Sequence, residues 1–146
     1  MAIVTATAEA QPLETLAAPL RPAHHRSAAP EGLIEVSVCV VNWNCRELLR
    51  NCLRSLTEAA QGVSLEVIVI DNASADGAAD MVERDFPDVV LQRNATNVGF
   101  ARANNQAAEL SRGRYLFFLN NDTVVPPNTL RRLLDYCRAH PHVGMV

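Results

Sequence analysis

Val36-Ser-Val-Cys-Val-Val-Asn-Trp-Asn44 is the stretch on which the fold turns. Val36–Val41 is a near-continuous β-branched run, as expected of a strand buried on both faces rather than one that alternates between core and water. Asn42-Trp43-Asn44 breaks the run with polar and aromatic side chains. A strand buried on both faces needs a layer on each side, and the sequence downstream supplies helices. Asn44 stands three residues before Glu47, which is capping-box spacing, and Leu48, Leu49, Cys52, Leu53 and Leu56 form one apolar stripe. Gly62 closes that helix.

Further on, Val67–Ile70 reads as a second buried strand, ended by Asp71-Asn72-Ala73-Ser74. A weak helix follows over Ala78–Asp85 and stops at Pro87. Val89–Leu91 reads as a short third strand, Phe100–Leu110 as a helix, and Tyr115–Leu119, after Gly113, as a fourth strand. Pro126-Pro127 opens a last helix whose Leu130, Leu133, Leu134 and Cys137 face inward, with His140-Pro141 as its stop. Strand and helix alternate four times, which predicts a layered α/β domain with a mainly parallel sheet and right-handed crossovers.

Upstream of the valine run, residues 1–34 are rich in Ala, Pro, Glu and Thr without sustained periodicity, and read as a disordered leader. Its paired His24 and His25 read as solvated loop residues. The ordered domain is expected over residues 35–146. Apolar residues make up 49% of the 146-residue chain, enough for a sizeable core, and the net charge of −3 points to no partner. With no Lys/Arg stripe to follow a phosphate backbone, nucleic acid is disfavoured. No apolar run approaches the ~20 residues that span a bilayer, and Met1–Ala10 lacks the basic residue of a secretory signal. Cys39, Cys45, Cys52 and Cys137 have neither C-x-x-C spacing nor a nearby histidine pair, so reduced thiols in a cytoplasmic protein are expected. Peripheral association with the inner face of the membrane stays open.

In an open parallel sheet, ligands bind outside the carboxyl ends of the strands. There the sequence places Asn42, Trp43 and Asn44, then Asp71 and Asn72, then Arg93 and Asn94, then Asn120, Asn121 and Asp122. A G-x-G-x-x-G turn, a P-loop and a nucleophile-elbow serine are all missing. What remains is Asp122, a carboxylate at a strand end flanked by amides. A hard divalent cation shared with substrate phosphates suits that arrangement, since such ions take one or two carboxylates plus phosphate oxygens.

Four blocks now align with a known pattern: Val36–Asn44, Val69-Ile-Asp-Asn-Ala-Ser74, Asn97-Val-Gly-Phe-Ala-Arg-Ala-Asn-Asn105 and Phe118-Leu-Asn-Asn-Asp-Thr123. In order and spacing they resemble the signature blocks of glycosyltransferase family 2, with its GT-A, Rossmann-like fold, and are nearest to its rhamnosyltransferase-like members. The resemblance covers about residues 35–146. It implies a sheet in spatial order 3-2-1-4 of the four expected strands, with Asp71 and Asp122 at one edge. It also implies glycosyl transfer from a UDP, dTDP or GDP sugar to a glycan or lipid-linked acceptor, inverting and dependent on Mg2+ or Mn2+.

Position by position, Trp43 matches the aromatic that packs on the donor's pyrimidine, with Asn42 and Asn44 beside it. Asp71 matches the acid that recognises base or ribose. Asn97, Gly99 and Phe100 match the loop beneath the donor phosphates, with Arg102 in reach of them. Asn120-Asn121-Asp122 falls on the D-x-D block, with Asp122 as the metal ligand and Asn121 among the donor contacts. Asn120 and Asn121 depart from the simplest pattern, where carboxylates can stand. Each residue also has a structural reading: a space-filling Trp43, turn-capping Asp71 and Asp122, a solvated Arg102.

The family's catalytic base resembles an Asp or Glu well downstream of the D-x-D block, and no residue here matches it. Asp135 and Glu109 sit on helix surfaces. The catalytic residue is therefore unassigned, and a truncated domain is expected that leaves Val38, Val40 or Phe118 exposed. A nucleotidyltransferase would need a Gly-rich, Arg-containing loop where Asn42-Trp43-Asn44-Cys45 stands. A non-catalytic module that binds nucleotide sugars is the remaining alternative.

Overall fold

A computed structural model describes residues 3–6, 33–60 and 62–145. Its strands are β1 (Ile3–Ala6), β2 (Val36–Asn42), β3 (Leu65–Asp71), β4 (Val90–Arg93) and β5 (Tyr115–Asn120). Its helices are α1 (Arg46–Ala59), α2 (Ala78–Asp85), α3 (Phe100–Leu110) and α4 (Thr129–Ala139). The valine run is the centre of the sheet, whose order is β1-β5-β2-β3-β4. β2 runs parallel to both neighbours, with Asn42 opposite Asp71 and Val41 opposite Asn120. The four expected strands thus stand in the expected order, and their carboxyl ends share one edge. None of the described helices is long and apolar enough to cross a membrane.

Alternation along β2 sorts the two layers. Val36, Val38 and Val40 join Leu49, Leu56, Met81, Phe117, Leu130 and Leu134 in the larger core, under α1, α2 and α4. Cys39 faces the other way and packs with Ile68, Ile70, Ala103 and Ala107 under α3. The expectation of exposed Val38 and Val40 is overturned, because both are fully buried beneath the helices, and Phe118 is half-buried against the α3 cluster. Burial pushes the Cys39 thiol up to about 12, with the charge of Glu66 adding to the effect, and all four cysteines are free.

Two expectations need correction. Ile3–Ala6 falls within the expected leader, yet it lies antiparallel along Tyr115–Phe118 and covers the outer edge of β5; residues 7–32 lie outside the described residues. Asn44, expected to cap α1, has φ 52° and turns away from it. Its backbone N–H donates to Ser74 Oγ at 2.9 Å, and its Oδ1 accepts from the Ala75 N–H at 2.8 Å. The capping acceptor comes instead from the next loop. Asp76 Oδ2 takes the Arg46 N–H at 2.8 Å while its Oδ1 takes the Ala78 N–H at 3.0 Å, so one carboxylate serves the first turns of α1 and α2. Glu47 pairs with Arg50 at 2.6 Å rather than reaching back to the backbone.

At the amino end of the sheet the backbone preceding β5 passes so close to β2 that Gly113 has no room for a side chain. A Cβ there would stand 2.5 Å from Ser37 N and 2.8 Å from the Val36 carbonyl carbon. Backbone cannot rotate aside, so Gly113→Ala is expected to cost about 3 kcal/mol, at the upper end for overpacking. Part of that loss is the hydrogen bond from the Gly113 N–H to Ser37 Oγ. Urea denaturation checks it; an unchanged midpoint would refute the close approach.

Candidate functional site

The loops after β2 and β3 are stapled into one unit before any ligand arrives. Asn42, with no exposed surface, donates through Nδ2 to Asp71 Oδ1 at 3.3 Å and to Ser74 Oγ at 3.1 Å. Its Oδ1 accepts from Asn121 Nδ2 at 2.8 Å. Asp71 is 3% exposed, and its Oδ2 accepts from the Ser74 N–H at 2.9 Å. Between them Ala73 is held at φ 65°, a left-handed backbone that costs a residue with a Cβ about 1–2 kcal/mol. Three hydrogen bonds help hold it there: Asn42 Nδ2 and the Asn44 N–H donate to Ser74 Oγ, and the Ala75 N–H donates to Asn44 Oδ1.

Above this platform Val41, Trp43, Asn72, Asn97, Phe100, Asn120 and Asn121 line an open cleft of about 230 Å³. Trp43 is 56% exposed and Phe100 63%, so both aromatics stand free to stack rather than filling the core. Polar amides make up most of the remaining wall, and no charged residue among the described ones lines the cleft itself. Of the expected site residues, Trp43, Asn97 and Asn121 meet there. Asn42 is buried beneath the cleft, its amide engaged by Asp71, Ser74 and Asn121. Asp71 lies alongside it and is likewise buried, outside the residues that line the cleft. Gly99 has φ 86° at the start of α3. Arg102 is exposed on the first turn of α3, with no ion-pair partner among the described residues.

Asp122 follows the end of β5 and is exposed. It too lacks a cationic partner among the described residues, and no set of three or more His, Cys, Asp or Glu side chains there could hold a metal alone. Its charge is felt inside the protein. Burial, followed by the Asp122 carboxylate, pushes the Cys52 thiol up to about 12. One unpaired carboxylate with amide oxygens beside it fits a hard cation that takes its remaining ligands from phosphate and water. It does not fit a closed all-protein cage.

Sequence reading placed Asn72, Asn94 and Asn120 on the rim without assigning them roles, and passed over Ser74, Asp76 and Gln106. Asn72 is 2% exposed and holds the loop before α3: its Oδ1 accepts the Val98 N–H at 3.0 Å, and its Nδ2 donates to Asn97 Oδ1 at 2.7 Å. Such a tie, over 25 residues of chain, leaves no periodic signal.

Comparison with known proteins bears on this arrangement. The family model for glycosyl transferase family 2 matches residues 37–146. The abequosyltransferase RfbV of Salmonella typhimurium is 27% identical over 107 residues, covering 69% of this chain and 32% of its own length. The mannosyltransferase PcManGT from Pyrobaculum calidifontis, solved with GDP-mannose and Mn2+, superposes with a TM-score of 0.65 at 28% identity, over 74% of this chain and 33% of that one. S. aureus TarS 1-349, solved with UDP, shares the fold with a TM-score of 0.63 at 24% identity, over 73% of this chain and 33% of that one. The mainly parallel sheet with flanking helices is thus of the GT-A type. The chain spans 17–41% of the length of eight curated relatives it matches.

Proposed function

Because this chain belongs to glycosyl transferase family 2, we propose that its cleft binds the nucleoside diphosphate part of a nucleotide-sugar donor for an inverting, metal-dependent glycosyl transfer. The observation that carries the reading is the cleft itself: two exposed aromatics and a wall of amides at the carboxyl edge of the sheet, with a lone carboxylate after β5. Trp43 stacks on the base, and Asp71, at the end of β3 behind the cleft lining, reads base or ribose. The Asn97–Gly99 turn and Arg102 face the diphosphate, where the start of a helix favours anions. Asp122 holds a Mg2+ or Mn2+ ion, and Asn121 stands beside it with its Nδ2 tied back to Asn42. When bound, the cation offsets charge on the departing diphosphate. The acceptor, a glycan or lipid-linked hydroxyl, loses its proton to a base that we do not assign to any residue of this chain.

No carboxylate lines the cleft among the described residues, which favours a second reading for them: donor binding without transfer. Calorimetric titration with UDP, dTDP and GDP, each with and without Mn2+, tests the first reading. At least one should bind, and more tightly with Mn2+. Failure of all three sinks it. Donor hydrolysis or its absence then separates catalysis from binding alone.

A further inference from the structure

Behind the cleft, at the end of β4, the side chain of Asn94 has every bonding position in use. Its Nδ2 donates to Gln106 Oε1 at 2.9 Å and to Asn72 Oδ1 at 3.1 Å. Its Oδ1 accepts from Gln106 Nε2 at 3.2 Å and from Gln92 Nε2 at 3.4 Å. Asn94 and Gln106 therefore form a reciprocal amide pair that ties the edge of the sheet to the middle of α3. The chain of amides continues forward. Asn72 bonds the Val98 N–H and Asn97, and Asn97 Oδ1 takes the Gly99 N–H at 2.9 Å. It ends on the turn that opens α3 and presents Asn97 and Phe100 to the cleft. Neither Asn94 nor Gln106 lines that cleft.

Apolar packing alone gives α3 little registration. The helix buries only Ala103 and Ala107 against the sheet, and two methyl groups on a flat surface let a helix slide or rotate at small cost, unlike large interdigitating side chains. A two-bond amide pair has one geometry, and neutral amides hold it without the desolvation penalty of buried charge.

We propose that Asn94 and Gln106 are positioning residues for nucleotide binding, holding the first turn of α3 and the Asn97–Gly99 loop in the geometry the diphosphate requires. This rests on the donor reading above. The alternative is that the pair merely glues α3 to the sheet.

The test uses the whole chain and whichever of UDP, dTDP or GDP binds it tightest with Mn2+. Asn94→Ala and Gln106→Ala should each raise Kd about five- to tenfold. The double variant should be no worse than the weaker single, as expected of two residues acting as one unit. In the unliganded protein, exchange of the Val98 and Gly99 amides should quicken at least tenfold. Gln106→Glu, which keeps an acceptor for Asn94 but loses the return donor, should fall between wild type and Gln106→Ala, and serves if the alanine variants do not fold. Unchanged Kd alongside faster exchange would make the pair structural glue and overturn the proposal. So would additive losses, or Val98 exchange that does not change. If the wild-type chain binds none of the three nucleotides, the donor reading falls and takes this proposal with it; binding by wild type that the variants retain overturns the positioning role alone.

Discussion

Glu66→Ala is expected to destabilise the domain by roughly 3 kcal/mol, the low end for removing one partner of a buried ion pair. Glu66 lies on β3 beside Ser37 of β2 and is 7% exposed. Its Oε1 accepts from Ser37 Oγ and from the Arg112 N–H, both at 2.6 Å, and its Oε2 accepts from Arg112 Nε at 2.9 Å. The Arg112 side chain is 54% exposed and rehydrates once the carboxylate is gone, which trims the cost. Ser37, with no exposed surface, has no such recourse, and an orphaned buried donor costs about 1–3 kcal/mol. Burial on its own pushes the Glu66 carboxyl up; the hydrogen bonds from Ser37 and Arg112, with the guanidinium charge, outweigh it and hold the pKa below its ordinary 4.5. A carboxyl depressed on folding contributes stability above its unfolded value, and that contribution is lost as pH falls through the folded one. Wild-type stability should therefore drop on acidification below the ordinary carboxylate value, and Glu66→Gln should flatten that part of the curve. Denaturant midpoints across pH measure both. A loss under about 1 kcal/mol for Glu66→Ala would mean that the bonds here are not the ones holding β2, β3 and β5 together.

How much of this was legible beforehand depends on whether a feature is local. The Val36–Val41 run announces a doubly buried strand because β-branching and the absence of polar alternation are properties of consecutive residues, and β2 duly sits at the sheet centre. β4 was expected at Val89–Leu91 and runs over Val90–Arg93; as a half-exposed edge strand it carries little hydrophobic pattern to mark its ends. Asn44 and Glu47 have capping-box spacing, but the carboxylate that caps α1 is Asp76, some thirty residues on, and no spacing rule reaches that far. Asn42 was read as a donor contact because a polar residue at a strand end looks the same whether it faces a ligand or a neighbouring loop. Its burial and its bonds to Asp71, Ser74 and Asn121 become visible only in the folded chain. The Asn94–Gln106 pair escaped notice for the same reason. Both residues are ordinary in their own elements, and their meaning lies in the packing of α3 across the sheet.

Asp122→Ala should abolish the gain in nucleoside diphosphate affinity that Mn2+ confers, a loss of about 100-fold, since even the groups that merely orient metal ligands are worth about 10–100-fold. The loss should be close to complete because the block has no substitute: residues 120 and 121 are already amides, and no set of three or more acidic, histidine or cysteine side chains among the described residues could hold a metal in its place. Metal-free affinity should stay where it was, because base stacking on Trp43 and the loop before α3 do not involve Asp122. Folding should be undisturbed as well. Asp122 is exposed and has no ion-pair partner among the described residues, and substitutions at such positions usually fall within about 0.5 kcal/mol of wild type. Asp122→Asn should keep a weak Mn2+ effect, its remaining oxygen being a neutral ligand of the kind Asn121 already offers. The contrast between the two variants separates the carboxylate's charge from its position. Parallel titrations with and without Mn2+ decide the matter: an Asp122→Ala protein that folds normally and still binds nucleotide more tightly with Mn2+ than without would move the cation elsewhere, and the lone carboxylate after β5 would be no more than a solvated turn residue.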